Sequence, residues 1–582
     1  MPAQQRDAVR PNHLTWRHWL LATLMVAGFT ALLVRLAIIQ IGGHEQYLEE
    51  AAAARVGVAE VPASRGAILD ATGYPLATSI DTWDVYIDTF LWRDRERARV
   101  AAAHLGAALR LNPEDLYALG TSRSIGDVPV LRLLEYEYGR DLREAGLWGV
   151  RLLPSSRRVY AEQELAGPII GYVGLDGNGL WGVEADFDHV LRGRPGLVVG
   201  EEDPLGRPIS FVQPTTHIPL SGGDVQLTID RFIQAIAERE LARAVEENAA
   251  TGGTVIVMES RTGAILAMAS LPTVRLATLD LDAEDLSDLV RNRSITDLYE
   301  PGSVFKTLTT AMAIDLGLVT PDSTYVDEGV MHVSGGTIRN WNFTAYGEVT
   351  MTEYLQRSLN TGAAWLSEQI GPRHFYEYLA RFGVGERTHI GLSGEATGLI
   401  RRPTDDDWYP VDLATNSYGQ GLAVTPLQTI TAVNVFANNG ALIRPQIVSQ
   451  VATRDGVRRL QPVAVRQVVT SQTSQTVAQM MHDVVEKVPY HLARVEGYRV
   501  AGKTGTTLLS TAEGYDFDTT IATFAGFVPY EDPRITVLVK IDRPSADSHL
   551  GGVVAAPVFA RIAGNVLDYL NVPITRPQVA VP

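Results

Sequence analysis

One long apolar segment near the N-terminus constrains this chain more than any other feature. Trp19–Ile41 is 23 residues long, and the stretch from Leu20 to Val34 contains no charged residue. A helix of about 20 apolar residues spans the hydrocarbon core of a bilayer, which is roughly 30 Å thick. The sequence therefore predicts a transmembrane helix over residues 19–41. No second segment of this kind follows, so we expect a single crossing.

The charges on either side of this segment predict its orientation. Three arginines and one aspartate precede it, and three glutamates follow it: Arg6, Arg10, Arg17 and Asp7, then Glu45, Glu49 and Glu50. The positive-inside rule places residues 1–18 in the cytoplasm and the chain after residue 41 outside. A cleaved signal peptide would also be apolar, but its apolar core would be shorter than this one.

Composition excludes several classes of protein. Of the 582 residues, 46% are hydrophobic and 20% are charged, which is typical of globular domains and not of disordered chains. The net charge of −17 argues against nucleic acid as the main partner. The absence of cysteine excludes disulfides, thiolate nucleophiles and cysteine metal sites, and the scattered histidines form no pair with metal-binding spacing.

Lysine is unusually rare in this chain. Only Lys306, Lys487, Lys503 and Lys540 are lysine among 50 basic residues, and the others are arginine. Nucleotide bias in the coding DNA is the simplest cause of the skew. Positions that keep lysine are nevertheless candidates for chemistry that arginine cannot perform, because a guanidinium does not deprotonate near neutral pH.

Sequence patterns divide the rest of the chain into two parts. Residues 42–220 are irregular, with short apolar runs around a turn between Ile68 and Ala77 that predict a β-hairpin. Ala161–Leu165 suggests a short helix in the same part. After a boundary near Ser221, Asp230 is placed to cap a helix that runs to about Ala250. Residues 576–582 form a short tail.

Residues 221–575 alternate between strand and helix patterns. Thr254–Met258 and Ala264–Met268 predict one antiparallel pair, and Ile521–Phe527 and Ile535–Ile541 predict another. A helical middle and a final helix accompany these strands. The pattern predicts an α+β fold, with a largely antiparallel sheet flanked by helices.

The first candidate for chemistry is the pair Ser303 and Lys306. If a helix begins near Ser303, the two side chains lie three residues apart on one face. A serine hydroxyl is a weak nucleophile until a base accepts its proton. Lysine normally titrates near 10.4, so burial or a second cation would have to lower its pKa. The helix N-terminus also offers N–H groups to a developing oxyanion.

Two further motifs follow in the order expected for one active site. The first is Ser358-Leu359-Asn360, and the second is Lys503-Thr504-Gly505-Thr506. Glycine next to Lys503 fits the edge of a strand that is open to a ligand. Each motif alone could be a surface turn, but chance rarely produces all three in this order behind a membrane segment.

At this point the sequence resembles a known family. The SxxK, SxN and KTG triplet is the signature of the penicillin-recognising serine acyltransferases. Further motifs resemble class B, monofunctional penicillin-binding proteins over nearly the whole chain. They are Arg65–Asp70 with Gly73, Gly171–Gly174, Gly182–Glu184, Leu191–Gly193, Glu300–Ser303, Asn340-Trp341, Ser417–Gly421, Val424–Pro426 and Ala555–Phe559. The departures are small, such as Ala161 and Ser393 where proline is usual.

The resemblance implies a domain plan and an activity. Residues 42–220 would form a β-rich pedestal or dimerisation-like module, and residues 221–575 a transpeptidase domain. The implied reaction is D,D-transpeptidation of peptidoglycan stem peptides, in which Ser303 is acylated and Lys306 is the general base. β-Lactams would acylate the same serine, and no metal or cofactor is needed.

The resemblance also implies roles for the remaining motif residues. Ser358 would relay a proton to the leaving amine, and Asn360 would orient Lys306. Lys503, Thr504, Gly505 and Thr506 would bind the terminal carboxylate of the donor peptide. The backbone N–H groups of Ser303 and Thr506 would form the oxyanion hole.

Several related functions stay open at this stage. The Glu300–Ser303 and Lys503–Gly505 motifs favour the septal, FtsI-type branch of the family over the elongation branch. A D,D-carboxypeptidase and a non-catalytic wall-synthesis scaffold are also compatible with the sequence. Either branch implies a SEDS-family glycosyltransferase and other wall-synthesis membrane proteins as partners. The resemblance implies that the chain lies in the bacterial cytoplasmic membrane, with its catalytic domain outside.

Overall fold

The computed structural model describes residues 16–45, 47, 56–123, 126–162, 164–174, 176–201, 215–334, 336–489, 492–511 and 514–575. The sequence-based statements about Arg6, Asp7, Arg10, Glu49 and Glu50, and about residues 576–582, lie outside the described residues. The α-helices are Trp16–Ala37, Arg95–Leu109, Pro113–Thr121, Tyr136–Glu144, Gly167–Ile170, Gly182–Asp186, Asp188–Leu191, Arg231–Glu247, Leu286–Leu289, Arg293–Thr296, Lys306–Asp315, Met351–Arg357, Asn360–Ile370, Pro372–Arg381, Pro410–Asn416, Pro426–Ala437, Ser471–Lys487, Gly551–Val554 and Ala556–Tyr569.

Short 3-10 helices occupy Leu91–Arg93, Leu276–Thr278 and Gly302–Phe305, and a π-helical turn occupies Ile38–Gly42. The strands are β1 (Val56–Val61), β2 (Ile68–Leu69), β3 (Pro75–Asp88), β4 (Asp127–Glu135), β5 (Val150–Tyr160), β6 (Tyr172–Val173), β7 (Gly179–Trp181), β8 (Gly196–Glu201), β9 (Thr215–His217), β10 (Asp224–Leu227), β11 (Gly252–Glu259), β12 (Ile265–Leu271), β13 (Thr324–Asp327), β14 (Val330–Val333), β15 (Gly336–Arg339), β16 (Gly347–Thr350), β17 (Ala441–Ile443), β18 (Val448–Thr453), β19 (Gly456–Arg459), β20 (Ala464–Gln467), β21 (Ala501–Thr511), β22 (Gly514–Val528) and β23 (Ile535–Asp542).

The predicted membrane segment is helical. The helix and the following π turn cover residues 16–42, a stretch long and apolar enough to cross a bilayer, and none of its most apolar window is buried by the rest of the protein. It is the one such helix among the described residues. Its exposed apolar side chains are what a lipid-facing helix requires.

The chain divides into two compact units, each built from separated segments. The first unit comprises residues 1–62, 83–154 and 195–220. In it, β8 pairs antiparallel with both β1 and β9. A small core surrounds the buried indole of Trp92 and includes Leu105 and Leu116 from two neighbouring helices.

The second unit comprises residues 63–82, 155–194 and 221–582. Its central sheet has five antiparallel strands in the order β12-β11-β23-β22-β21. The two strand pairs predicted from the sequence are both present, and β21 lies at the edge of the sheet. The predicted hairpin between Ile68 and Ala77 is also present as β2 paired with the start of β3.

Alternation along the strands explains why the sheet has a core on both faces. Val255 and Val257 of β11 belong to one buried cluster, and Ile256 and Met258 belong to the other. Successive side chains of a strand point to opposite faces, so an uninterrupted apolar run requires cover on both. The helices Arg231–Glu247 and Ala556–Tyr569 cover the first face. The α+β fold with helices on both faces of an antiparallel sheet is therefore confirmed.

Short sequence patterns predicted one helix correctly and placed another at the wrong residues. The Asp230 side chain accepts from the backbone N–H groups of Phe232 and Ile233, so it caps the helix as predicted. The helix predicted over Ala161–Leu165 is absent, because the described residues of this stretch form turns and the helix follows at Gly167–Ile170. Pro168 in the first turn explains the later start, since proline is favoured there.

Candidate active site

Ser303 lies in a tight helical turn that leads directly into a buried helix. Helical structure begins next to Ser303, with a 3-10 turn over Gly302–Phe305 that continues as an α-helix from Lys306. A 3-10 helix has three residues per turn, so side chains at positions i and i+3 eclipse one another. The turn therefore brings Ser303 and Lys306 to the same side, as the SxxK spacing requires.

The segment Ser417–Gly421 supports this turn. The Gly302 N–H donates to the carbonyl of Gly419 at 3.0 Å, and the Gly421 N–H donates to the Glu300 carboxylate at 3.0 Å. Gly302 has a φ of +57°, a conformation that glycine adopts at little cost. The sequence marked this segment only through the family resemblance, because its contacts with Gly302 join residues more than a hundred positions apart.

Lys306 is completely buried and points at the second motif. Its Nζ lies 2.6 Å from the Ser358 carbonyl, 3.2 Å from Ser358 Oγ and 2.8 Å from Asn360 Oδ1. Its relative exposure is 0%. The three acceptors leave the lysine little freedom to turn away from the Ser358 hydroxyl.

Ser358 owes its position to an unusual backbone conformation. It ends the helix Met351–Arg357 in the left-handed region, with a φ of +59°, and its N–H donates to the Tyr354 carbonyl. The next helix starts at Asn360. A non-glycine residue in this region stores local strain, which often occurs at functional sites. The bend presents both the hydroxyl and the carbonyl of Ser358 to Lys306.

The third motif reaches the same hydroxyl from the edge strand β21. Lys503 Nζ lies 3.0 Å from Ser358 Oγ, and it also donates to the carbonyl and the hydroxyl of Thr504, at 3.1 and 3.3 Å. Farther along β21, Thr506 Oγ1 accepts from the Gly551 N–H at 2.9 Å. The structure therefore brings Lys306, Ser358, Asn360 and Lys503 together, with Ser303 on the adjoining turn.

Two buried amines converging on one hydroxyl have a strong electrostatic consequence. Burial, and then the charge of Lys503, hold the pKa of Lys306 well below its usual range. Burial alone lowers the pKa of Lys503 to about 7. Neither lysine forms a salt bridge with any described residue, so the effect of burial on each pKa is not offset by a paired carboxylate. Lys306 is thus suited to accept a proton at neutral pH.

The lowered pKa of Lys503 predicts how stability changes with pH. In the unfolded chain the lysine pKa is near 10.4, whereas in the folded protein that of Lys503 is about 7. Between these values the unfolded state binds more protons, so the free energy of unfolding rises with pH. We expect the wild type to gain stability over Lys503→Met between pH 7 and pH 9, measured by urea unfolding of both proteins at each pH. A constant difference would mean that Lys503 keeps an ordinary pKa.

Gly505 allows β21 to approach the serine turn, which gives a second prediction. A Cβ at this position would lie 2.8 Å from the Pro301 carbonyl oxygen, closer than van der Waals contact allows. We expect Gly505→Ala to slow penicillin acylation at least about tenfold by displacing the turn, since small misplacements are costly to catalysis. Gly564→Ala is the matched control, because a Cβ there meets nothing closer than 3.8 Å. Equal acylation rates for the two variants would contradict the steric argument.

The other two lysines have different surroundings. Lys487 is exposed and pairs with Asp483 one helical turn away, at 2.8 Å. Lys540 is buried in β23, pairs with Asp542 and lies 5.3 Å from the ring centre of Tyr299. Sequence reasoning found no role for Lys540, and only the fold shows that its amine lies against Tyr299, four residues before Ser303. Among the described residues, no group of three or more His, Asp or Glu side chains is arranged to hold a metal ion.

Comparison with known families and proteins identifies two matching domains in this chain. Residues 253–564 match the penicillin binding protein transpeptidase domain, and residues 60–227 match the penicillin-binding protein dimerisation domain. The stage V sporulation protein D of Bacillus subtilis is 33% identical over 88% of this chain and 80% of its own length. The peptidoglycan D,D-transpeptidase FtsI of Escherichia coli is 31% identical over 98% of this chain and 94% of its own length.

Solved structures show the same fold. Penicillin binding protein 2X of Streptococcus thermophilus superposes with a TM-score of 0.77 over 88% of this chain and 80% of its own, at 22% identity, which supports the fold alone. Penicillin binding protein 3 of Mycobacterium tuberculosis, solved in complex with aztreonam, gives a TM-score of 0.67 over 89% of this chain and 99% of its own, at 27% identity.

Proposed function

Because the chain belongs to the class B penicillin-binding proteins, the serine peptidoglycan D,D-transpeptidases, we propose that it cross-links stem peptides through an acyl-enzyme on Ser303. The observation that carries the proposal is the convergence of Lys306 and Lys503 on the hydroxyl of Ser358, beside the Ser303 turn. That arrangement supports the assignment of Lys306 as the base, Ser358 as the proton relay and Lys503 as the anchor for the substrate carboxylate.

Acylation begins when the Ser303 hydroxyl attacks the carbonyl of the penultimate D-alanine. Lys306, neutral because of its burial, takes the hydroxyl proton as the C–O bond forms. Collapse of the tetrahedral intermediate breaks the peptide bond, and the proton passes through Ser358 Oγ to the departing amine. The 3.2 Å separation between Lys306 Nζ and Ser358 Oγ supports this relay. Terminal D-alanine leaves, and the donor remains esterified to Ser303.

The donor peptide is held by its terminal carboxylate. Lys503, with the hydroxyls of Thr504 and Thr506, binds this anion, and Gly505 lets β21 lie close to the serine turn. The backbone N–H groups of Ser303 and Thr506 stabilise the oxyanion, which costs little reorganisation because both belong to fixed backbone. Asn360 holds Lys306 in place through its carboxamide oxygen, 2.8 Å from Nζ.

Deacylation repeats the steps in reverse with a different nucleophile. An amine from a neighbouring stem peptide loses its proton to the same base and attacks the ester carbonyl. The new amide bond forms, the ester bond to Ser303 breaks, and the hydroxyl recovers its proton. No external energy source is needed, because one amide bond replaces another. A β-lactam is attacked in the same way, and its ring opening leaves a long-lived ester on Ser303.

A donor–acceptor assay distinguishes transpeptidation from hydrolysis and from a purely structural role. The full-length protein in detergent is mixed with a stem peptide ending in D-alanyl-D-alanine and with an amine acceptor. We expect release of D-alanine together with a cross-linked product, identified by mass spectrometry. Release with only the hydrolysed peptide would identify a D,D-carboxypeptidase. No release, together with no penicillin labelling, would identify a non-catalytic scaffold.

We further propose the septal branch and a single-pass topology. The Glu300–Ser303 and Lys503–Gly505 motifs support the branch. The apolar helix supports an anchor, with residues 1–18 in the cytoplasm and the modules over residues 42–220 and 221–575 outside. A SEDS-family glycosyltransferase would then be the partner. Depletion in the native bacterium tests the branch, because filaments would support septal work and round cells would contradict it.

A further inference from the structure

A buried carboxylate near the second motif has no role in the reaction described above. Asp327 ends strand β13 and is 1% exposed. Among the described residues, no lysine, arginine or histidine forms a salt bridge with it. Burying an unpaired carboxylate costs free energy unless hydrogen bonds compensate it. The stability of Asp327 in this position therefore depends on its hydrogen-bond donors.

Five donor contacts surround the Asp327 carboxylate. Oδ1 accepts from the Gly329 N–H at 3.2 Å, from Asn340 Nδ2 at 3.0 Å and from the Thr361 hydroxyl at 2.6 Å. Oδ2 accepts from Asn340 Nδ2 at 3.0 Å and from the Tyr346 N–H at 3.0 Å. Both oxygens thus act as acceptors in all five of these contacts.

These contacts lead directly to the residue that holds the base. Thr361 follows Asn360 in the chain, and its N–H donates to Asn340 Oδ1 at 3.3 Å. Asn360 Nδ2 donates at 2.9 Å to the carbonyl of Arg339, the residue before Asn340. Asp327 therefore joins the segment that carries Asn360 and Thr361 to the segment of Arg339 and Asn340. The Asn360 carboxamide reaches from the first segment to the second.

We propose that Asp327 is a positioning residue for acylation, because it fixes the Asn340–Thr361 link and so directs the carboxamide oxygen of Asn360 at Lys306. The inference rests on the proposed acyl-enzyme function of Ser303. If the carboxamide turned over, its NH₂ group would face the Lys306 amine, and the lysine would lose an acceptor at 2.8 Å. The hydrogen bond from Asn360 Nδ2 to the Arg339 carbonyl keeps the carboxamide oxygen of Asn360 directed at Lys306. That hydrogen bond forms only while the segments that contain Arg339 and Asn360 keep their spacing.

Asparagine cannot replace Asp327 without a conflict. Either orientation of an amide at this position directs an NH₂ group at donors, because donors face both carboxylate oxygens. A buried donor without an acceptor is unfavourable, because it has lost its hydrogen bonds to water and gained none in return. The segments must move apart or rotate to relieve this conflict, and Asn360 moves with them.

Acylation kinetics separate positioning from binding. We expect Asp327→Asn to slow the first-order acylation step with a fluorescent penicillin by about 10–100-fold, the range produced by displacements near 1 Å. The dissociation constant of the complex before acylation should change less than about threefold, because Lys503 and Thr504 are untouched. Glu328→Gln, at the exposed neighbouring position, is the control and should acylate at the wild-type rate.

A second pair of variants keeps the inference testable if Asp327→Asn fails to fold. Thr361→Val removes the hydroxyl donor while keeping the shape of the side chain, and Thr361→Ser restores the hydroxyl. We expect Thr361→Val to slow acylation about tenfold at an unchanged dissociation constant, and Thr361→Ser to recover most of the rate.

The outcomes distinguish this inference from the proposed function. Wild-type acylation rates for both Asp327→Asn and Thr361→Val would overturn the positioning role and leave the acyl-enzyme intact. Equal losses in Thr361→Val and Thr361→Ser would also overturn it, since the hydroxyl would then be irrelevant. Failure of the wild type itself to form an adduct on Ser303 would instead refute the proposed function.

Discussion

Lys306→Arg should reduce penicillin acylation by about 10²–10⁴-fold, which is what a general base contributes. Arginine can reach the acceptors around Ser358, but it stays positively charged and cannot give up its proton near neutral pH. Lys306 is already buried beside a second cation, and that lowers its pKa far enough for the neutral form to be present. The measurement is the rate of labelling by a fluorescent penicillin, followed on denaturing gels.

Lys487→Arg is the matched control for this variant. Lys487 is exposed and pairs with Asp483 on its own helix, so an arginine there keeps the same contact. Labelling should proceed at the wild-type rate. Lys540→Arg should also acylate normally, because the charge that faces Asp542 is retained. A Lys306→Arg protein that labels as fast as Lys487→Arg would refute the role assigned to Lys306.

Ser303→Ala should abolish covalent labelling altogether, since no other nucleophile can form the ester. The loss should be at least as large as that of Lys306→Arg, because removing the nucleophile leaves no covalent route. Non-covalent binding of the penicillin should survive, since Lys503 and the threonines of β21 are intact. Tryptophan fluorescence titration with unlabelled penicillin measures that binding.

Ser287→Ala serves as the control for the serine substitution. Ser287 is exposed on the short helix Leu286–Leu289, outside the three motifs. It should label like the wild type, and both alanine variants should melt within a few degrees of the wild type. Persistent labelling of Ser303→Ala would place the nucleophile elsewhere.

Much of the fold was predictable because its signals are local. The apolar segment, the Asp230 cap and the strand pairs of the central sheet each depend on neighbouring residues, and each appears as predicted. Phe232 is an apolar residue in the first turn of the Asp230 helix, yet it is exposed beside Tyr569. Helical periodicity indicates which face of this helix is apolar. It cannot show that the neighbouring helix ends at Tyr569 and leaves Phe232 uncovered.

The candidate site was predictable only in part. Sequence spacing predicted that Ser303 and Lys306 would share a face, and the lysine count drew attention to Lys306 and Lys503. The role of Asp327 could not be predicted from the sequence, because its contacts with Asn340 and Thr361 join segments that no sequence periodicity connects. Buried polar networks of this kind follow from tertiary packing, in which each donor must find an acceptor.

Locating the penicillin adduct tests the central claim most directly. The full-length protein is incubated with penicillin, digested with a protease and analysed by mass spectrometry. We predict one adduct per chain, on the peptide that contains Ser303, with fragment ions that assign it to that serine. A chain that carries no adduct, or one whose adduct lies on another residue, would contradict the proposal that Ser303 forms the acyl-enzyme.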